Sequence, residues 1–388
     1  MRGQYGKPAS AYNRASPPCL TLRRPLPKTL GRMNAPHRLV PAKLRTLEIG
    51  RFIAASLVMA MHLIGFAGGY ALPGRAALLG GFVPPAAFAV QFFFTLSGFV
   101  MICAHGQEFG QAGASARFWW RRARRIYPMY WLSLLLALCA LPAVPEAGRM
   151  LGLATLAPYF TPDIVPPAWS LRLEIAFYLL FGLCLLPRIG RAVLVLWVVG
   201  TVGLTYWPHL QAGLVPGALR AHAVLFLFGT NFTCFHLQFF GGMLAGWLYQ
   251  TRPPGPRLAW GVLAAGAAAL LLCLPFLHWG NAYYTPALAP VLALGFGAVV
   301  LGLAALESAG AIRPRAAATR LGAISYPLYI LHGSFLALFT AFAPPSRLHL
   351  GPGGQYGLLL GAMLAIYALS AAAAFCIDQP LQRRRRPA

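Results

Sequence analysis

Within residues 47–62 an apolar run carries a carboxylate (Glu48), a guanidinium (Arg51) and an imidazole (His62). On an α-helix side chains advance about 100° per residue, so eleven steps bring Arg51 and His62 within roughly 20° of one face. Glu48 is three residues before Arg51 and shares that face. An imidazole titrates near neutral pH and suits proton transfer. Ionisable groups are costly in a membrane and by default point into a bundle at a functional site. The plainer alternative is that Glu48 and Arg51 pair at the membrane surface and His62 is a satisfied interior histidine.

A second group follows at residues 118–131, where Arg121, Arg122, Arg124 and Arg125 stand among Trp and Tyr. On a helix Arg122 and Arg125 share a face, as do Arg121 and Arg124. Guanidinium forks match phosphate oxygens, which makes a phosphate clamp. The alternative is a set of anchors touching anionic lipid. Further along, Glu174 lies one helical turn from Ser170 and from Tyr178, and Arg172 lies off their face. Its alternative role is pairing with Arg172 or with another helix. At residues 91–99, Gln91 needs a polar partner, whereas Ser97 and Gly98 read as a small-residue patch for close helix packing. His332 has two readings: it faces the same cavity as His62 and Glu174, or, the plainer one, it is a satisfied interior histidine. The spacing of Cys, His, Asp and Glu fits no metal site.

The elements that must position these groups follow from composition. The chain has 388 residues, 58% hydrophobic and only 10% charged. A soluble protein is nearer 25% charged, so this chain cannot solvate its own surface. Its fold class is therefore all-α, a polytopic membrane helical bundle. Ten apolar spans are expected, at about 46–66, 84–104, 127–144, 170–187, 191–208, 232–250, 258–278, 286–306, 321–343 and 355–377, each near the ~20 residues needed to cross hydrocarbon. A short apolar stretch at 224–228 reads as a re-entrant or outer-surface segment. The seven cysteines are scattered singly and read as small buried residues.

The net charge is +25, from 32 Lys and Arg against 7 Asp and Glu. With ten spans and the N-terminus inside, 26 of the 32 basic residues fall in inner segments and four in outer loops. That asymmetry follows the positive-inside rule and puts both termini in the cytoplasm. The basic residues thus mark topology, and the partner they imply is a lipid bilayer, with no nucleic acid. Three segments result. Residues 1–45 form a basic cytoplasmic segment expected to be disordered, without the apolar core of a cleaved signal peptide. Residues 46–377 form one transmembrane domain, and residues 378–388 form a basic cytoplasmic tail.

Taken in order, these stretches resemble the acyltransferase-3 family of integral membrane acyltransferases. The resemblance runs from Leu47 to the C-terminus. It rests on Glu48…Arg51…His62, on Phe92-Phe93-Phe94-Thr95-Leu96-Ser97-Gly98-Phe99, and on Arg122-Ala123-Arg124-Arg125-Ile126-Tyr127-Pro128. It continues through Trp169-Ser170-Leu171…Glu174…Tyr178, Ser325-Tyr326…Tyr329…His332 and Asp378-Gln379-Pro380-Leu381. In that family an Arg or Lys separated by ten residues from a His is the signature of activity, and Arg51 and His62 match it. Two differences stand out: many members have Asp at the position of Glu48, and an acidic residue at that of Arg172.

The resemblance implies a membrane-embedded O-acyltransferase of the plasma (inner) membrane. It would move an acyl group, acetyl in particular, from cytoplasmic acyl-CoA to a hydroxyl of a cell-surface or secreted carbohydrate. Acyl-CoA, acetyl-CoA in particular, would be a co-substrate, with no permanently bound cofactor. His62 would act as general base or carry the acyl group covalently, with Glu48 or Glu174 orienting it. Arg51 would fix an acidic neighbour or stabilise the oxyanion. Arg122 and Arg125, with Arg121 and Arg124, would hold the CoA phosphates. The competing expectation is a transporter or flippase for a glycan or lipid, in which the intramembrane charges form a substrate path.

Overall fold

The computed structural model describes residues 44–69, 86–156, 163–207, 230–276, 287–343 and 352–383. The expected disorder of residues 1–43 and the re-entrant segment at 224–228 lie outside the described residues, as does the end of the basic tail. Among the described residues every regular element is helical. In chain order they are α1 (Arg45–Gly69), α2 (Ala86–His105), α3 (Ala114–Cys139), α4 (Ala147–Thr155), α5 (Ala168–Cys184) and α6 (Gly190–Tyr206). Then come α7 (Thr230–Thr251), α8 (Pro256–Cys273), α9 (Ala289–Ser308), α10 (Ala318–Phe342) and α11 (Pro352–Ala372). A π-helical segment (Ala373–Asp378) leads into the short α12 (Gln379–Arg383).

Each expected span overlaps a helix, yet only six described helices are long and apolar enough to cross a membrane by length and composition, so the count of ten is not confirmed. The arginine-bearing α3 is not among those six. Its helix begins at Ala114, well before the expected start at Tyr127, and runs through Pro128. The four arginines therefore sit on its first half, where their charge lowers the hydropathy of an otherwise long helix. The short α4 has no counterpart in the apolar pattern of the sequence.

With no water to satisfy the backbone in a bilayer, helices are the form in which such spans keep every amide bonded. Their outer faces carry large apolar side chains that remain exposed, among them Leu196, Leu272 and Phe342. Inside the bundle the helices meet through small residues. A Cβ on Gly98 of α2 would overlap the Phe239 carbonyl of α7, and one on Gly242 of α7 would overlap the Thr95 carbonyl of α2. The two backbones therefore pack without side chains between them. Cys103, Cys184 and Cys273 are buried as expected, whereas Cys139 and Cys376 are exposed.

α1 packs along α10, and α3 packs on the same helix. The backbone amides of Arg45 and Thr46, which lack helical partners at the start of α1, donate to the Glu307 carboxylate at the end of α9 at 2.8 Å each. Further along, α1 meets α10 at two levels. The Glu48 side chain fills the space beside Gly322, where a Cβ would overlap it, and the His62 ring meets His332. Both pairs advance in the same chain direction, so the two helices run parallel. Ser133 of α3 donates to the Ile330 carbonyl of α10 at 2.7 Å, and Tyr326 of α10 donates to the Ile126 carbonyl of α3 at 2.8 Å.

Candidate active site

A cavity of about 940 Å³ opens between α1, α2, α3, α5, α10 and the π-helical segment. Four guanidiniums (Arg51, Arg122, Arg125, Arg320) and three carboxylates (Glu48, Glu174, Asp378) line it. Its wall is thus basic by one charge when all are ionised. Five of these seven, all but Arg320 and Asp378, are residues to which the sequence assigns a site role; Asp378 enters there only as part of the family resemblance.

Arg51 and Glu48 face each other across one helical turn, with 3.8 Å between Nη1 and Oε1. Glu174 accepts from the Tyr178 hydroxyl one turn on, and Ser97 of α2 donates to the same carboxylate at 3.4 Å. The neighbours Ser97 and Gly98, which read alike in sequence, therefore differ: Gly98 packs on α7 and Ser97 lines the cavity. Arg172, on the opposite face of α5, is buried and donates to Asp163 at 2.6 and 2.9 Å. It does not pair with Glu174. Asp163 precedes α5, and burial pushes its carboxyl above the usual carboxylate range, a rise that Arg172 opposes.

The four arginines of α3 divide by face. Arg122 and Arg125 line the cavity. Arg122 donates to His105 Nε2 at 2.9 Å and lies over the rings of Phe118 and Tyr178. Arg125 donates to Gln382 of α12 at 2.8 Å and lies over Tyr326. Arg121 and Arg124 are not in the lining. Arg121 instead forms an ion pair with Glu108 at 2.9 Å, and Arg124 stacks on the exposed ring of Trp120. A π-helical turn often marks a functional position, because it turns one side chain out of the regular register. Here it ends at Asp378, buried in the cavity wall.

His62 does not line this cavity. The wall at that end is formed by Ser170 and Tyr329, whose hydroxyls bond to each other. The ring of Tyr329 lies 6.4 Å from that of His332. His332 is wholly buried, and its Nε2 stands 2.9 Å from His62 Nδ1. His62 thus partners His332 rather than Glu48 or Glu174. Eleven residues of rise separate it from Arg51, about 16 Å along α1.

A profile of the acyltransferase domain family matches residues 44–377. The chain belongs to the acyltransferase-3 family. It is an acyltransferase and a multi-pass membrane protein, so the transporter reading falls away. The exopolysaccharide production protein ExoZ of Rhizobium meliloti (strain 1021) is 27% identical over 326 residues, covering 77% of this chain and 90% of the relative. No solved structure matches the chain.

Several residues in and behind the cavity wall receive no site role from sequence spacing. Nothing in the apolar pattern points to His105 behind Arg122 or to Gln382 behind Arg125. Tyr326 and Tyr329 stand in a stretch that carries the family resemblance, but spacing gives them no role. Asp378 carried a usable signal, since it is one of only seven Asp and Glu in the chain.

Proposed function

We propose that this acyltransferase moves an acyl group, acetyl in particular, from cytoplasmic acyl-CoA to a hydroxyl of an extracellular polysaccharide. The observation that carries the reading is one cavity with Arg122 and Arg125 in its wall and Tyr329, backed by His332 and His62, at one limit. Guanidiniums held by neighbouring side chains bind the CoA phosphates as charge-assisted pairs. The likeness to an exopolysaccharide production protein supports a polysaccharide acceptor. The charge asymmetry of the sequence supports ten crossings of the plasma membrane, both termini in the cytoplasm, and donor entry from the arginine side.

In this reading the pantetheine arm of CoA runs from the arginines toward Tyr329, and the Ser170–Tyr329 wall opens so that the thioester reaches His62 behind it. His62 takes the proton of the acceptor hydroxyl as that oxygen attacks the thioester carbonyl. The C–S bond then breaks, a C–O ester bond stays, and the proton passes from His62 to the departing thiolate. Arg51 lies too far along α1 to stabilise an oxyanion beside His62. Its neighbour Glu48 supports instead a part in shaping the donor end. Glu174, held by Tyr178 and Ser97, balances the charge of that end.

The test uses the detergent-purified protein with acetyl-CoA and polysaccharide. Acetyl-CoA is expected to raise the melting temperature of the wild type and not of an Arg122→Ala/Arg125→Ala variant. Free thiol is expected to appear only when polysaccharide is added. A folded wild type that is neither stabilised by acetyl-CoA nor releases thiol would overturn the reading.

A further inference from the structure

The two imidazoles are set by backbone groups that can only accept. His332 Nδ1 lies 3.0 Å from the Leu328 carbonyl, and His62 Nδ1 lies 3.1 Å from the Val58 carbonyl. A bare ring nitrogen facing a carbonyl oxygen is repelled, so each Nδ1 carries the proton. His332 Nε2 is then an unprotonated acceptor, and it stands 2.9 Å from His62 Nδ1. The Nδ1–H of His62 is shared between the Val58 carbonyl and His332 Nε2. The remaining nitrogen, His62 Nε2, keeps its lone pair.

We infer that His332 is the positioning residue of the acyl transfer, an uncharged orienter that holds His62 with Nε2 free to accept the hydroxyl proton. The inference rests on the reading of His62 as general base. When Nε2 takes the proton, His62 becomes cationic while still donating through Nδ1. The hydrogen bond to His332 then involves a charged donor and strengthens. A carboxylate in this place would bring a full charge into a buried setting, whereas a neutral imidazole supplies the acceptor without that cost. The wholly buried side chain of His332 and its bond to Leu328 fix its ring against rotation.

The experiment compares His332→Leu, which removes the acceptor, with His332→Gln, whose amide oxygen reaches the place of Nε2. Nitrogen-15 NMR of the histidines accompanies the kinetics, with His62→Ala used to assign the His62 signals. The wild type is expected to show His62 protonated at Nδ1. His332→Leu is expected to lower kcat roughly 10- to 100-fold with the KM for acetyl-CoA unchanged. His332→Gln should recover most of that loss. His62 protonated at Nε2 in the wild type would overturn the inference. So would a folded His332→Leu enzyme of undiminished kcat, or equal losses in the Leu and Gln variants. If either variant fails to fold, the wild-type spectrum still decides the tautomer. An active His62→Ala enzyme would instead refute the general-base reading, which separates the two failures.

Discussion

Around Arg122 the cavity wall is charged and cross-braced; the His62–His332 pair, behind the Ser170–Tyr329 end of that wall, has no carboxylate or guanidinium partner among the described residues. Arg51, Arg122, Arg125, Glu48 and Glu174 each have a partner of opposite charge, an amide, a hydroxyl or a ring within reach. Among the described residues, His62 and His332 bond to backbone groups and to each other. In the proposed reaction the contrast follows from what each end must do. Holding a polyanion requires permanent charge, and permanent charge in a membrane protein needs partners. Moving a proton requires a group that is neutral at rest, and an imidazole pair meets that need without bringing charge into the bundle.

The sharpest way to break this division is to remove His62. His62→Ala is expected to lower acyl transfer on the order of 10³-fold while acetyl-CoA still raises the melting temperature. If donor stabilisation vanished as well, the two ends would not be separate. Next in size comes the charged end. Arg122→Ala or Arg125→Ala removes charge-assisted bonds of about 1.5–3 kcal/mol, so acetyl-CoA binding should weaken roughly 10- to 100-fold, read by titration calorimetry. Their kcat at saturating donor should stay near that of the wild type.

A packing control follows. Gly98→Val forces a side chain into the backbone of α7 and is expected to cost about 1–3 kcal/mol of stability, seen as a lower melting temperature without a selective effect on either substrate. The smallest effect is expected of Arg124→Ala, on the face that points away from the cavity. Donor affinity there should change by no more than about twofold, consistent with a surface substitution within about 0.5 kcal/mol. A loss as large as that of Arg125→Ala would show that the clamp includes both faces of α3.

Much of the charged end is legible in the sequence, because rarity does the sorting. In a chain that is only 10% charged, Glu48, Arg51, Arg122, Arg125 and Glu174 stand out against apolar neighbours. Helical spacing then grouped Arg122 with Arg125, as the cavity does. Spacing could not say which face of α3 turns inward, so Arg121 and Arg124 remained in the same group. That choice depends on how α3 rotates against α5 and α10. The histidine pair was illegible for a stronger reason: its members lie 270 residues apart, and nothing local to either signals the other. The partner of Arg172 was missed in the same way, since Asp163 sits in a loop before α5 where helical spacing does not apply.

The parallel run of α1 beside α10 has a consequence for how such a chain can change. Glu48 meets Gly322 at one level and His62 meets His332 at another. Substitutions between these levels alter one contact each. Adding or deleting a single residue between them would turn everything beyond by about 100° and carry one imidazole away from the other. Between those two levels an exchange of residues is felt where it falls, whereas a change of length is felt at every contact beyond it.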